Sequence, residues 1–175
     1  MINEKTMMHG CDYLGEDVGG WLMSEKLNGC RAYWDGSTMW TRGGKVIQIP
    51  DAMRAQLPEC HLDGEIFAGR DGFEKARLAV QYNRWVPGIE FCVFDAPNHP
   101  GSFAERYAFL ETLLSYDGVV HSVQHDICDG IADALAFMID IQDCYGGEGV
   151  MLRDPANVYG VGRTVQILKL KERPE

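Results

Sequence analysis

The chain has 175 residues, which suits one domain, or a main domain with a small subdomain, and is long enough to bury a core. Its 46% apolar fraction is ordinary for a globular protein, and a net charge of −10 excludes a global positive field drawing it to nucleic acid, although acidic residues on one side leave room for a local basic face on the other. Cys11, Cys30, Cys60, Cys92, Cys128 and Cys144 form no Cys-x-x-Cys pair, which argues against a zinc site and for reduced, mostly buried thiols in a cytoplasmic protein. Met1 to Thr6 has no apolar leader, and no apolar stretch is long enough to cross a bilayer, so no membrane partner is expected.

In chain order, Trp21 to Lys26 reads as a strand entering the Asn28-Gly29 turn. Arg31 to Trp34 reads as a second strand, closed by the hairpin signal Asp35-Gly36. Met39 to Arg42 resumes, Gly43-Gly44 turns the chain, and Val46 to Ile49 follows until Pro50. These aromatic and β-branched segments predict an antiparallel meander. Leu62 to Ala68 is a further strand, Phe73 to Val80 a short helix, and Ile89 to Phe94 a strand buried on both faces. Ser102 and Glu105 form a capping box opening a helix to about Ser115, with Leu110, Leu113 and Leu114 facing inward. Val119 to Val123 is a short strand. Ile131, Leu135, Met138 and Ile139 mark an amphipathic helix broken at Gly146-Gly147. Val150 to Arg153 and Val165 to Lys171 are the last strands. The pattern is α+β, with sheets carrying the charged motifs and helices outside.

Five short charged motifs follow one another. They are Ser24-Glu25-Lys26-Leu27-Asn28-Gly29-Cys30-Arg31, Leu62-Asp63-Gly64-Glu65, Phe91-Cys92-Val93-Phe94-Asp95, Glu148-Gly149-Val150-Met151-Leu152-Arg153 and Leu168-Lys169-Leu170-Lys171. A lysine amine becomes a nucleophile when desolvation or nearby positive charge favours its neutral form. Lys26 follows an apolar strand, and Arg31, Lys169 and Lys171 are candidates to converge on it. Gly29 would let the backbone approach a ligand. The natural electrophile is the α-phosphate of a nucleotide, with the same cations neutralising its charge. Glu65 and Glu148 would hold a metal or the ribose hydroxyls, and Phe94 would stack on the base.

Each residue also has a plain reading. Lys26 would be a solvated strand end, Glu65 a turn residue, Phe94 core, and Lys169 and Lys171 the water-facing side of an edge strand. The order of the set favours the chemical reading. There is no P-loop, dinucleotide fingerprint or nucleophile-elbow serine. His121 and His125 flank a strand and read as surface residues.

These motifs resemble those of the covalent nucleotidyltransferases, which include ATP-dependent DNA ligases, RNA ligases and mRNA-capping guanylyltransferases. The likeness is densest over Ser24 to Pro50 and Leu62 to Phe73, and it is greatest to the minimal ATP-dependent DNA ligases of bacteria and their viruses. The resemblance implies one adenylation (nucleotidyltransferase) domain over 1–175, with antiparallel sheets flanked by helices around a nucleotide pocket. It implies Lys26 as the adenylylated nucleophile and Arg31 as a contact to ribose or nucleic-acid phosphate. Arg42 would bind the 5′-phosphate of a nick, Glu65 the ribose, and Phe94 the adenine. Glu148 would bind the metal, with Glu65 a second candidate, and Lys169 and Lys171 would grip the α-phosphate. Ser24 and Glu25 would also line the nucleotide site.

The implied substrates are ATP, with Mg²⁺ or Mn²⁺, and nicked duplex DNA. The implied setting is a cytoplasmic monomer of bacterial or phage type in DNA repair, replication or recombination. Arg31, Arg42, Arg70, Arg77 and Arg84 would form the basic face. RNA end joining, and a nucleotide- or nick-binding module that no longer seals, are the alternatives. Two departures stand out. Asn28 replaces the aspartate of the usual Lys-x-Asp-Gly motif, and the OB-fold domain that normally follows is absent from these 175 residues, which leaves open a truncated sequence, a separate partner that supplies an OB-fold domain, or a domain that works alone and poorly.

Overall fold

Alternation along each strand decides which face meets a core and which meets the cleft. The computed structural model describes residues 2–172. Met1, read for a leader, and residues 173–175, the end of the expected domain, lie outside the described residues. In chain order the strands are β1 (Met8–Asp12), β2 (Trp21–Lys26), β3 (Cys30–Asp35), β4 (Met39–Thr41), β5 (Val46–Ile47), β6 (His61–Phe67), β7 (Glu90–Asp95), β8 (Val120–Ser122), β9 (Asp126–Cys128), β10 (Gly149–Arg153) and β11 (Gly162–Leu170). The helices are α1 (Asp51–Arg54), α2 (Phe73–Tyr82), α3 (Phe103–Leu113) and α4 (Ile131–Ile139), the last running on into a π-helical turn over Asp140–Cys144.

The strands form two sheets, ordered β1-β11-β10-β2-β9 and β5-β4-β3-β6-β7-β8. Each sheet buries one face under helices. In the six-stranded sheet Ala32, Trp34, Leu62, Ile66, Phe91 and Val93 pack with Ala76 and Ala79 of α2 and Leu110 of α3. In the five-stranded sheet Met23, Val150, Leu152, Leu168 and Leu170 pack with Ala134 and Met138 of α4. Each large aliphatic or aromatic side chain buried this way contributes about 1.5–3 kcal/mol. The opposite faces carry the charged residues and turn toward a shared cleft.

The expected α+β architecture, with sheets around a pocket and helices outside, is the one observed. Its pairing needs a correction, because the sheets are not wholly antiparallel. β1 runs parallel to β11, and β7 parallel to β8. The β7–β8 connection passes through α3, the kind of crossover that parallel neighbours require. The sequence analysis also missed β1, β9 and α1, each five residues or fewer.

Local differences have local causes. β5 stops at Ile47 because the Gln48 carbonyl accepts the Trp85 indole N–H at 2.7 Å, and Pro50 then caps α1. The capping box forms as expected, with Glu105 accepting the Ser102 N–H at 2.7 Å. The helix ends at Leu113, however, and Leu113 is exposed while Leu110 and Leu114 take the core side. His125 is buried rather than on the surface, its ring edge-on to Phe103 and Tyr107. Burial lowers its pKa to about 3, so the imidazole is neutral.

A polar seam sets one sheet against the other. Asp63 of β6 accepts two bonds from Arg31, at 2.6 and 2.7 Å, and one from the Tyr159 hydroxyl at 2.7 Å. Tyr159 lies in the β10–β11 connection, so this contact crosses from sheet to sheet. Beside it, the fully buried Arg106 of α3 pairs with Asp95 at 2.6 and 3.1 Å and donates to the Asn157 carbonyl at 3.0 Å.

Candidate active site

Register brings the first motif to the fourth. β2 pairs with β10 so that Lys26 lies opposite Gly149 and Ser24 opposite Met151, while Met151 lies opposite Lys169 of β11. Ser24, Lys26, Met151, Lys169 and Lys171 therefore share the cleft wall that Leu152, Leu168 and Leu170 leave on the other face. The six-stranded sheet supplies the facing wall with Arg31, Glu65 and Phe94. The cleft between them measures about 1610 Å³. That exceeds the 300–1,000 Å³ typical of a small-ligand pocket, leaving room for more than a nucleotide.

Glu148 is the hub. Its carboxylate accepts Lys26 Nζ at 2.5 Å on one oxygen and Lys171 Nζ at 2.7 Å on the other. Burial opposes its charge, but the bonds from Lys171 and Lys26 outweigh that and hold the carboxyl below its usual range. The backbone here is tied by Gln142, which the sequence analysis missed. Its amide donates to the carbonyls of Glu148 at 2.9 Å and Lys171 at 2.8 Å. Gln142 reaches both from the π-helical turn, a widening of the kind often found beside functional sites.

The remaining expected residues line the same cleft, with hydrogen-bond and ion-pair partners of their own. Lys169 pairs with the exposed Asp12 at 3.3 Å. Arg31 spends Nε and Nη2 on Asp63 and the Met8 carbonyl. Burial opposes its charge, yet Asp63 outweighs it and raises the guanidinium pKa. Arg31 and Lys169 thus each have a carboxylate of their own, and the direct partner of Lys26 is Glu148. Ser24 is buried on the cleft wall, and the Glu25 carboxylate is held by Arg70 at 2.8 and 2.9 Å.

Glu65 accepts the Gly29 N–H at 3.2 Å. Burial raises its carboxyl to about 7, against the lowering pull of Arg31 and Lys26. Gly29 lines the cleft and is also needed for contact with the protein, because a Cβ there would lie 2.2 Å from the Ile66 carbonyl oxygen. Asn28 is exposed and makes no side-chain hydrogen bond among the described residues. Glu148 offers hard carboxylate oxygens at the cleft wall, a donor set that suits Mg²⁺ completed by phosphate and water. Glu65 is turned to the opposite wall with one oxygen already engaged.

Phe94 is half-buried, with the guanidinium carbons of Arg153 and Arg31 4.6 and 4.9 Å from its ring centroid. Arg153 belongs to a motif quoted from the sequence but given no role there. Burial lowers its pKa to about 10, its best carboxylate is Asp95 at 4.0 Å, and its Nε has no partner. It remains cationic at neutral pH and backs the ring.

The expected basic face is only partly inside the cleft. Arg42 lines the cleft and pairs with the exposed Glu4 at 2.5 Å, but Arg70, Arg77 and Arg84 do not line it. Arg70 is held by Glu25, and Arg77 by Glu74 at 2.5 Å. Lys5, Lys45 and Arg163 line the wall beside Arg42 instead, with no carboxylate partner among the described residues. Only their fold neighbourhood distinguishes them from other surface cations.

Two facing sheets, a strand-end lysine bridged to a carboxylate, and a half-buried phenylalanine opposite define the nucleotidyltransferase fold of the ligase type. No family model matches the chain. The chain is 32% identical over 167 residues to a DNA ligase of Haemophilus influenzae, covering 91% of this chain and 60% of that protein. It therefore spans about 60% of the length of the curated relative it matches. A solved Lig E DNA ligase superposes with a TM-score of 0.84 at 26% identity, over 95% of this chain and 68% of that one. A Chlorella virus DNA ligase-adenylate superposes at 0.74 with 20% identity, over 96% and 67% of the two chains, a likeness of fold. The resemblance to DNA ligases, visible first in the motifs, thus extends through nearly the whole chain in both sequence and structure.

Proposed function

We propose that this chain is the adenylation domain of an ATP-dependent DNA ligase and that Lys26 carries the AMP. The observation that supports it most is the Lys26–Glu148–Lys171 cluster on the cleft wall, in a chain homologous to a DNA ligase. Lys26 Nζ leaves Glu148, gives up its extra proton to solvent and attacks the α-phosphorus of ATP, forming an N–P bond and losing a second proton to solvent as the bond to pyrophosphate breaks. A nick 5′-phosphate oxygen then attacks the same phosphorus, forming a P–O bond as the N–P bond breaks, and Lys26 leaves as the amine with a proton taken from solvent. Finally the 3′-hydroxyl attacks the activated 5′-phosphorus, loses its proton to solvent and releases AMP. Each step is an in-line displacement, so positioning and charge neutralisation carry most of the rate.

Lys171 and Lys169 neutralise the α-phosphate, Phe94 stacks on adenine, and Glu65 accepts a ribose hydroxyl. Glu148 is the residue to hold Mg²⁺ or Mn²⁺, with Glu65 a weaker candidate. A bound divalent ion would supply further neutralisation of phosphate charge. Ser24, Glu25 and Arg31 complete the nucleotide walls, and Arg42 receives the 5′-phosphate. The acceptor is nicked duplex DNA, the setting a cytoplasmic monomer, and an OB-fold partner would add to the grip on DNA. Among the described residues no helix is long and apolar enough to cross a membrane.

The test is sealing of matched nicks. Sealing of a DNA nick bearing a 5′-phosphate, with little sealing of the same nick in RNA, is the expected result. Preference for the RNA nick would overturn the choice of acceptor.

A further inference from the structure

A group of side chains lies on β7 and β8, and no step proposed above uses it. Cys92 of β7 is the register partner of His121 of β8, and Glu90 stands two residues earlier on the same face of β7. Two strands therefore hold three metal-ligating side chains on one surface. His121 Nε2 lies 3.0 Å from Glu90 Oε2 and 3.5 Å from Cys92 Sγ, and all three donor atoms lie within 4.8 Å of one another. Tetrahedral zinc with bonds of about 2.0–2.3 Å sets its ligand atoms roughly 3.3–3.6 Å apart. The other ring nitrogen of His121 meets the Ser122 carbonyl at 3.3 Å. A proton on Nδ1 makes that contact a hydrogen bond and leaves the Nε2 lone pair aimed at the group, the arrangement that orients metal-binding histidines.

We propose that Glu90, Cys92 and His121 form a binding site for a thiophilic divalent cation of the Zn²⁺ class. The sulfur, imidazole and carboxylate set selects zinc over Mg²⁺, which takes oxygen ligands. Cys92 is 2% exposed, whereas the His121 and Glu90 side chains are 20% and 43% exposed. Solvent thus reaches the site from one side, leaving the fourth position to water. Burial, with Glu90 adding to it, raises the pKa of the Cys92 thiol, so the free protein holds it as S–H. Binding breaks that S–H bond, forms a sulfur–metal bond and releases the proton to solvent. The ion clips the three-residue edge strand β8 to β7, the strand that carries Phe94. This site does not depend on the proposed ligation chemistry.

The experiment is a Co²⁺ titration of the chelator-treated chain, read by absorbance, followed by Zn²⁺ competition and thermal melting. The expected result is a thiolate-to-cobalt band and tetrahedral visible bands at one equivalent, chased by Zn²⁺, with Zn²⁺ raising the melting temperature. Cys92→Ser loses the thiolate band. His121→Ala, at a partly exposed position, weakens Zn²⁺ by more than the roughly 10- to 100-fold seen for a lost second-shell contact. Cys144→Ser at the exposed cysteine leaves both readouts unchanged. Should Cys92→Ser fail to fold, His121→Ala decides. Absence of the thiolate band in the parent chain, or unchanged Zn²⁺ affinity in His121→Ala, would overturn the site.

Discussion

At the scale of single residues, Glu65 links the cleft to pH. Its carboxyl is raised to about 7 in the folded chain, chiefly by burial. A raised folded-state pKa means the folded chain binds the proton more tightly than the unfolded one. Its contribution to stability is full below the unfolded pKa and is lost as pH rises through about 7. The difference in melting temperature between the parent chain and Glu65→Gln should therefore change over the interval from ordinary carboxylate titration to about pH 7. A difference constant with pH would contradict the burial of this group. Gly29 makes a steric prediction. A Cβ 2.2 Å from the Ile66 oxygen forces β3 and β6 apart, so Gly29→Ala should cost about 1–3 kcal/mol in denaturant unfolding. Asn28, being exposed and unbonded, should tolerate aspartate. Asn28→Asp is expected to retain lysyl-AMP formation, and loss of all labelling would show that the aspartate interferes.

At the scale of elements, two connections hold the site together. Arg106 joins α3 to β7 through Asp95 in a fully buried pair. Buried pairs add little over apolar packing, but removing one partner strands the other charge. Arg106→Met should destabilise the chain by about 3–5 kcal/mol, read from chemical denaturation, and a loss near zero would mean that Asp95 finds another partner. Gln142 joins the π-helical turn to Glu148 and Lys171. Gln142→Ala should slow adenylation by roughly tenfold or more, toward the 100-fold that a 1 Å misplacement costs, with a smaller effect on melting. An unchanged single-turnover rate would reduce Gln142 to a structural tie.

At the scale of the molecule, the nick binding proposed above would rest on a local basic wall within an acidic protein. If Arg163 contacts a phosphate, Arg163→Ala should lower the slope of log affinity against log salt by about 0.9, while Arg84→Ala leaves it unchanged. The sequence carried much of this architecture because alternation and turn residues act locally. The strand ending at Lys26, the Asp35-Gly36 hairpin and the Ser102–Glu105 capping box were all legible from their own neighbours. Partner choice was less legible. Nothing near Arg31 says that it will bind Asp63, and nothing near Arg77 says that it will turn to Glu74 and away from the cleft. The parallel β1–β11 and β7–β8 pairs are likewise long-range. The Glu90, Cys92 and His121 group is invisible to a search for Cys-x-x-Cys spacing because its third member comes from a different strand.

The central claim is that Lys26 is the nucleophile. Incubation with α-labelled ATP and Mg²⁺, followed by denaturing electrophoresis and peptide mapping, tests it most directly. The account predicts label that survives denaturation, maps to the peptide containing Lys26 and disappears in Lys26→Ala. A folded chain that takes up no label, or one in which Lys26→Ala labels as well as the parent, would contradict it.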